Sequence, residues 1–227
     1  MRKRGLLLAA LVVAFGSYAT ADSIRVGTLP PDVQDCLPFG CSLHAQFIYD
    51  ASYFPVPVTI TGLTFFNSVE DSPDTFDPGF YTFLLSTTSA TVASPSSTYA
   101  DNRGGDFQIF DVESPAGPYP PSFTFFGAPF TYNPINGNLL LEVNKTGSDA
   151  FSGFTDYNSG DGFLVSRVWG NDPDTGSIDR NYGPVTEFEL GQQAVPEPAT
   201  LTLTGLGIIG VVSWRLRKGR KASTPSV

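Results

Sequence analysis

The sequence predicts an all-β body, a single antiparallel two-sheet sandwich with jelly-roll connectivity as the first choice. An N-terminal signal helix precedes it and a short C-terminal transmembrane helix follows. Three observations carry this reading. No stretch of the body sustains a helical period. Short β-branched and aromatic runs recur between clusters of Gly, Pro, Asn and Asp, and several of those runs alternate in polarity. The composition agrees: 227 residues, 41% hydrophobic, 13% aromatic and 15% charged, with 23 Gly and 19 Pro. Such a chain is too apolar to be disordered and long enough for one good core.

Eight strands are expected, over Leu43–Tyr49, Val58–Phe66, Phe80–Thr87, Asp106–Val112, Ser122–Phe126, Leu139–Asn144, Phe163–Trp169 and Thr186–Leu190. In the third, Tyr81, Phe83 and Leu85 share one face; in the sixth, Leu139, Leu141 and Val143 oppose Leu140, Glu142 and Asn144. The second sets Ile60, Gly62, Thr64 and Phe66 against Thr59, Thr61, Leu63 and Phe65, which predicts partial burial of both faces. Of 19 Phe, all but Phe15 lie beyond the signal segment, enough to fill a sandwich core. The expected organisation is a signal peptide over 1–21, a sandwich over 22–190 and a linker over 191–195. A tail follows over 196–221, with a terminal extension over 222–227.

Charge is concentrated at the ends. Between Asp22 and Val195 only Arg25, Arg103, Lys145, Arg167 and Arg180 are basic, against 21 acidic residues. A body that acidic repels nucleic acid and anionic lipid, which excludes a nucleic-acid partner. At the start, Arg2-Lys3-Arg4 precede an apolar run over Leu6–Phe15, and Ala19-Thr20-Ala21 offers a small-residue site for signal peptidase ahead of Asp22. At the other end, Pro196-Glu197-Pro198 leads into an apolar stretch over 199–214 and a basic cluster of Arg215, Arg217, Lys218, Arg220 and Lys221. Sixteen helical residues reach about 24 Å, short of a hydrocarbon core of about 30 Å. Basic residues flank both apolar segments on one side, so the body is placed outside the membrane. A permanent anchor is the plain alternative.

Pro196-Glu197-Pro198, the short Gly-bearing apolar segment and the terminal basic cluster together resemble the PEP-CTERM sorting signal. The resemblance implies an exported protein of a Gram-negative bacterium that makes extracellular polysaccharide. It also implies that an exosortase, a membrane cysteine transpeptidase-like enzyme, recognises and removes the tail. It implies nothing about activity, because such tails ride on unrelated bodies.

Within the body, Cys36 and Cys41 form a C-x4-C pair, which in an exported chain reads first as a disulfide. Zinc would need more ligands than His44 adds. His44 is the single histidine, so any Ser–His–Asp or Cys–His arrangement would have to use it, and no nucleophile-elbow motif accompanies it. Acidic loops suggest calcium at Asp172, Asp174 and Asp179, with Asp71, Asp74 and Asp77 as a second set; β-turn chemistry accounts for the same residues. Trp169 and nine Tyr offer faces on which sugars could stack, or simply core and rim. The expected function is therefore a non-enzymatic cell-surface or matrix protein associated with extracellular polysaccharide. The alternatives are a calcium-assisted carbohydrate-binding module and a secreted hydrolase with paired carboxylates.

Overall fold

The computed structural model describes residues 23–68, 75–147 and 154–191. The expected signal helix and C-terminal transmembrane helix lie outside them. The described chain is mostly β, and every strand pair is antiparallel. All eight expected strands are present: β3 (His44–Tyr49), β4 (Val58–Phe66), β5 (Tyr81–Thr88), β6 (Gln108–Glu113), β7 (Ser122–Tyr132), β8 (Asn138–Lys145), β10 (Val165–Gly170) and β13 (Thr186–Leu190). Five more are short: β1 (Ser23–Val26), β2 (Val33–Asp35), β9 (Thr155–Ser159), β11 (Ser177–Arg180) and β12 (Tyr182–Pro184). Two single 3-10 turns, η1 (Ala51–Tyr53) and η2 (Pro134–Asn136), and one helical turn, α1 (Tyr99–Asn102), complete the set.

The strands form a four-stranded sheet in the order β1-β13-β4-β7, a six-stranded sheet in the order β11-β10-β3-β8-β5-β6, and a small sheet β12-β9-β2. The two large sheets share one core. Ile60, Leu63, Phe65, Phe125 and Phe188 from the first meet Phe47, Tyr49, Phe83, Leu85 and Leu141 from the second. Phe54, between β3 and β4, closes the core at one end, with its ring 5.0 Å from Tyr132 and 5.4 Å from Phe188.

Three local features depart from simple alternation. A bulge in β4 between Ile60 and Gly62 shifts the register, so Ile60 joins Leu63 and Phe65 in the core instead of sharing a face with Thr64. Strand β7 runs on past Phe126 to Tyr132, because the irregularity opposite that bulge takes up Gly127-Ala128-Pro129, where a proline is tolerated. Gly127 is required there: a Cβ would stand 2.2 Å from the Phe110 carbonyl oxygen, where β6 and β7 approach. Every residue of β3 is buried, since the connection from β5 to β6 folds back over the outer face of the six-stranded sheet.

Cys36 and Cys41 are joined by a disulfide, with Cα atoms 5.7 Å apart. The loop they close contains a cis Leu37–Pro38 peptide and drives Phe39 between the sheets, fully buried. Its ring lies 5.0 Å from Phe65 and 5.2 Å from Phe123 on one sheet, and 5.6 Å from Tyr81 on the other. Closing so short a loop contributes about 2 kcal/mol in the chain-entropy picture, whereas deleting a buried Phe costs about 3–5 kcal/mol. Phe39→Ala should therefore lower the calorimetric unfolding temperature more than Cys36→Ser/Cys41→Ser. The reverse order would show that the loop is held by its crosslink and not by its ring.

Candidate functional site

Two polar clusters are built into this frame. The first lies on the core-facing side of β10, where Val165, Arg167 and Trp169 share a face because they alternate with Ser166 and Val168. The Arg167 guanidinium lies 4.4 Å from the centre of the Tyr182 ring, 5.3 Å from Trp169 and 5.5 Å from Tyr157. Its Nε donates to Asp179 Oδ2 at 2.8 Å, and the Trp169 indole N–H donates to the same oxygen at 2.9 Å. Nη1 stands 2.9 Å from Asp35 Oδ2 as an ion pair, and that oxygen also accepts from the Tyr182 hydroxyl at 2.9 Å. Burial works against the charge on Arg167, but Tyr157, Asp35 and Asp179 outweigh it and raise its pKa. A recess of about 300 Å³ opens here, lined by Arg167, Ile178, Asp179, Arg180 and Tyr182. A cation held flat among aromatic rings beside carboxylates can recognise a polyhydroxylated or planar polar ligand.

The second cluster centres on Glu142, fully buried on the outer face of the six-stranded sheet. It accepts from Arg103 Nε at 2.8 Å, from Gln46 Nε2 at 2.7 Å, from Asn144 Nδ2 at 3.1 Å and from His44 Nε2 at 3.0 Å. The His44 ring stacks on Tyr99, centroids 3.5 Å apart. Asn102 donates to Gln46, and Gln46 to the Tyr99 carbonyl, so α1 and its flanks are strapped to the sheet. Burial alone would raise the Glu142 pKa, but hydrogen bonds from Arg103, His44 and Gln46 pull it down to about 2. This cluster is a fastening. His44 meets a carboxylate and a stacked ring, and both cysteines are in the disulfide.

The expected calcium ligands are not brought together. Asp179 faces Arg167 and Trp169, while Asp172 Oδ1 accepts from the backbone N–H groups of Asp174 and Thr175, each at 2.9 Å, closing a turn. Those hydrogen bonds lower its pKa. In the second set, Asp77 pairs with buried Lys145 at 2.7 Å, and Asp71 and Asp74 lie outside the described residues. Among the described residues no three acidic, His or Cys side chains are grouped to hold a metal ion. Trp169 is half-buried against the core beside Arg167, its N–H satisfied by Asp179, and does not line the recess. Arg167, Tyr182 and Asp35 were not anticipated. One signal pointed to them: an arginine, in a chain poor in cations, on the apolar face of Val165-Ser166-Arg167-Val168-Trp169.

The remaining expected site is the tail. Residues 194–218 match the family model for the PEP-CTERM protein-sorting motif. The chain carries a PEP-CTERM sorting signal. Pro196, Glu197 and Pro198 fall inside the match, as do Arg215, Arg217 and Lys218, while Arg220 and Lys221 lie just past it. A PEP-CTERM protein is exported, sorted through the membrane and processed as an exosortase substrate. No curated protein and no solved structure matches this PEP-CTERM chain. The sorting motif, the signal segment with Ala19, Ala21 and Asp22, and the basic cluster all lie outside the described residues. Among the described residues, no helix is long and apolar enough to cross a membrane.

The Glu142 fastening makes a pH prediction. The carboxyl titrates near 4.5 when unfolded and about 2 when folded, so its contribution is complete above about pH 4.5 and fades as pH falls toward 2. With Arg103 partly exposed, the contribution is about 2–3 kcal/mol. Thermal unfolding of Glu142→Gln between about pH 5 and 2 should show a lower plateau and a shallower acid decline than the parent. Parallel curves would mean that the network does not fasten the sheet.

Proposed function

We propose that this is a non-enzymatic surface or matrix protein, released into the extracellular polysaccharide layer or attached to it after its tail is processed. The sorting motif at 194–218 carries the reading. Signal peptidase would cut ahead of Asp22, one residue before β1 begins. The body is read as a jelly-roll sandwich. Setting aside β2, β9, β10, β11 and β12, the remaining eight strands run first-eighth-third-sixth in one sheet and second-seventh-fourth-fifth in the other, as two interlocked Greek keys require. The body's single histidine and the fully buried carboxylate of Glu142 are committed to each other, which supports a binding or structural role over a hydrolytic one.

Intact mass and C-terminal peptide mapping of protein from the surface and medium of its native host test the sorting reading. The expected product starts at Asp22 and ends near Pro196–Pro198. Recovery of mature protein still carrying Arg215 to Lys221 would sink it and leave a plain anchor.

The recess beside Arg167 favours a second reading, a module that binds neutral saccharide, with Tyr182 as a stacking face and Asp179 and Arg180 as polar partners. Calorimetric titration with the host's purified matrix polysaccharide should give binding that weakens at least about tenfold in Arg180→Ala, since each tenfold step is about 1.4 kcal/mol. Flat heats for the parent protein would remove this reading while leaving sorting intact.

A further inference from the structure

A second recess, of about 350 Å³, opens where the chain leaving β1 meets the turn after β9. Tyr53 and Phe163, both half-buried, line it together with Arg25, Asp32, Asn158 and Asp161. That volume is at the small end for ligand recesses and gives room for one sugar-sized group.

One amide fixes its floor. Asn158 is 4% exposed; its Oδ1 accepts from the Thr28 N–H at 2.6 Å, and its Nδ2 donates to Asp32 Oδ2 at 3.3 Å. Gly27 is required beside it, because its φ is +98° and a Cβ would stand 2.6 Å from Asn158 Oδ1. The Ser159 N–H also donates to Asp32 Oδ2, at 3.1 Å. On the other wall, the Phe163 N–H donates to the Gly160 carbonyl and the Leu164 N–H to the Tyr53 hydroxyl, each at 3.1 Å. The recess is formed before anything enters it, so a ligand orders little on binding.

The groups left free inside are acceptors and hydroxyls. Arg25 is the cation on the wall, but its Nε donates to Glu187 Oε2 at 2.7 Å and its Nη2 stands 2.6 Å from the same oxygen, which cancels its charge. Asp32 keeps Oδ1 free. Asp161 is exposed and keeps its whole carboxylate, with no hydrogen bond or ion pair among the described residues. Two negative charges therefore face a space walled by two aromatic rings. A protonated amine carries three donors, no acceptor and a positive charge, and it is attracted by ring faces and carboxylates alike. A carboxylate or phosphate would meet like charge and find no free cation.

We infer that this recess binds a protonated amino sugar, with its ammonium between Asp32 and Asp161 and its ring against Tyr53 and Phe163. Thr28, Ser159 and Tyr53 bring hydroxyls to the same recess, which suit the hydroxyls of a sugar and have no counterpart on a plain alkylamine. The acidic excess of the body draws such a cationic glycan toward it. The inference goes beyond the reading of the Arg167 recess and does not depend on it.

The test is calorimetric titration of the full chain, held in an uncharged polyoxyethylene detergent, with a glucosamine oligomer and with its N-acetylated counterpart. At about pH 6 the free amines are protonated. The amine form should bind at least about tenfold more tightly than the acetylated one. Asp161→Asn should remove at least about tenfold of that affinity without lowering the unfolding temperature, since Asp161 has no internal partner. Glu113→Gln, exposed on β6 at the far edge of the six-stranded sheet, should change it less than about twofold. Equal affinity for the two oligomers overturns the inference, because the ammonium is then not what is read. Equal losses in Asp161→Asn and Glu113→Gln overturn it in favour of diffuse attraction to an acidic surface, and an unchanged affinity in Asp161→Asn puts the sugar elsewhere. A lysine oligopeptide that binds as tightly, with the same loss in Asp161→Asn, would replace the sugar with a basic peptide. Flat heats overturn the inference and leave the sorting reading and the Arg167 recess untouched.

Discussion

Phe39 fills the space between the two large sheets at the end where β4 finishes and β7 begins, and much of the interior is arranged to receive it. Pushing a loop into an aromatic core brings a backbone carbonyl with it, and a carbonyl stranded there costs about 1–3 kcal/mol. Here the Phe39 carbonyl accepts from the Tyr81 hydroxyl at 3.0 Å and faces the Lys145 ammonium at 3.4 Å. Lys145 is itself buried, which requires Asp77 beside it at 2.7 Å. One ring thus commits a tyrosine, a lysine and an aspartate, gathered at the end of the β5–β8 pairing where Tyr81 stands opposite Lys145. The disulfide keeps the loop short enough to present that ring and little else.

The same economy governs charge. Of the five cations in the body, Arg25 pairs with Glu187, Arg103 with Glu142, Lys145 with Asp77, and Arg167 with Asp35 and Asp179. Arg180 alone points its Nε to a backbone carbonyl, that of Ala93. The positive charge is therefore spent on internal fastening, and the surface keeps its acidic excess. Attraction to a polyanion is not available to such a body. Under the proposed reading, association with a polysaccharide would have to come from ring faces and hydrogen bonds of the kind present in the recess beside Arg167.

How much of this could be read beforehand depended on the length of each signal. Strands with alternating apolar faces were plain, and β4 and β13 were placed at their observed bounds. The short strands were not, because Thr155-Asp156-Tyr157-Asn158-Ser159 and Tyr182-Gly183-Pro184 look like turns and become strands only by pairing with each other and with β2. Proline at 129 hid the second half of β7, since the bulge that tolerates it belongs to the pairing with β4. The cysteine pair was legible from spacing, but the ring it delivers was not. Likewise Asp172, Asp174 and Asp179 looked alike in sequence. Only the fold separates a turn-closing carboxylate from one that holds an arginine.

The position of β13 has a consequence for how such a chain comes through a membrane. The last strand of the body lies inside its sheet, between the first strand and β4, not at an edge. Until residues 186–190 arrive, β1 has no neighbour and β4 has one open side. Pairs such as Ser23 with Glu189 cannot form while the chain is still threading, and such long-range closure is slow to nucleate. The four-stranded sheet therefore cannot close until almost all of the body is across. It locks only when the segment next to its sorting tail has emerged, so completion of the fold reports completion of export.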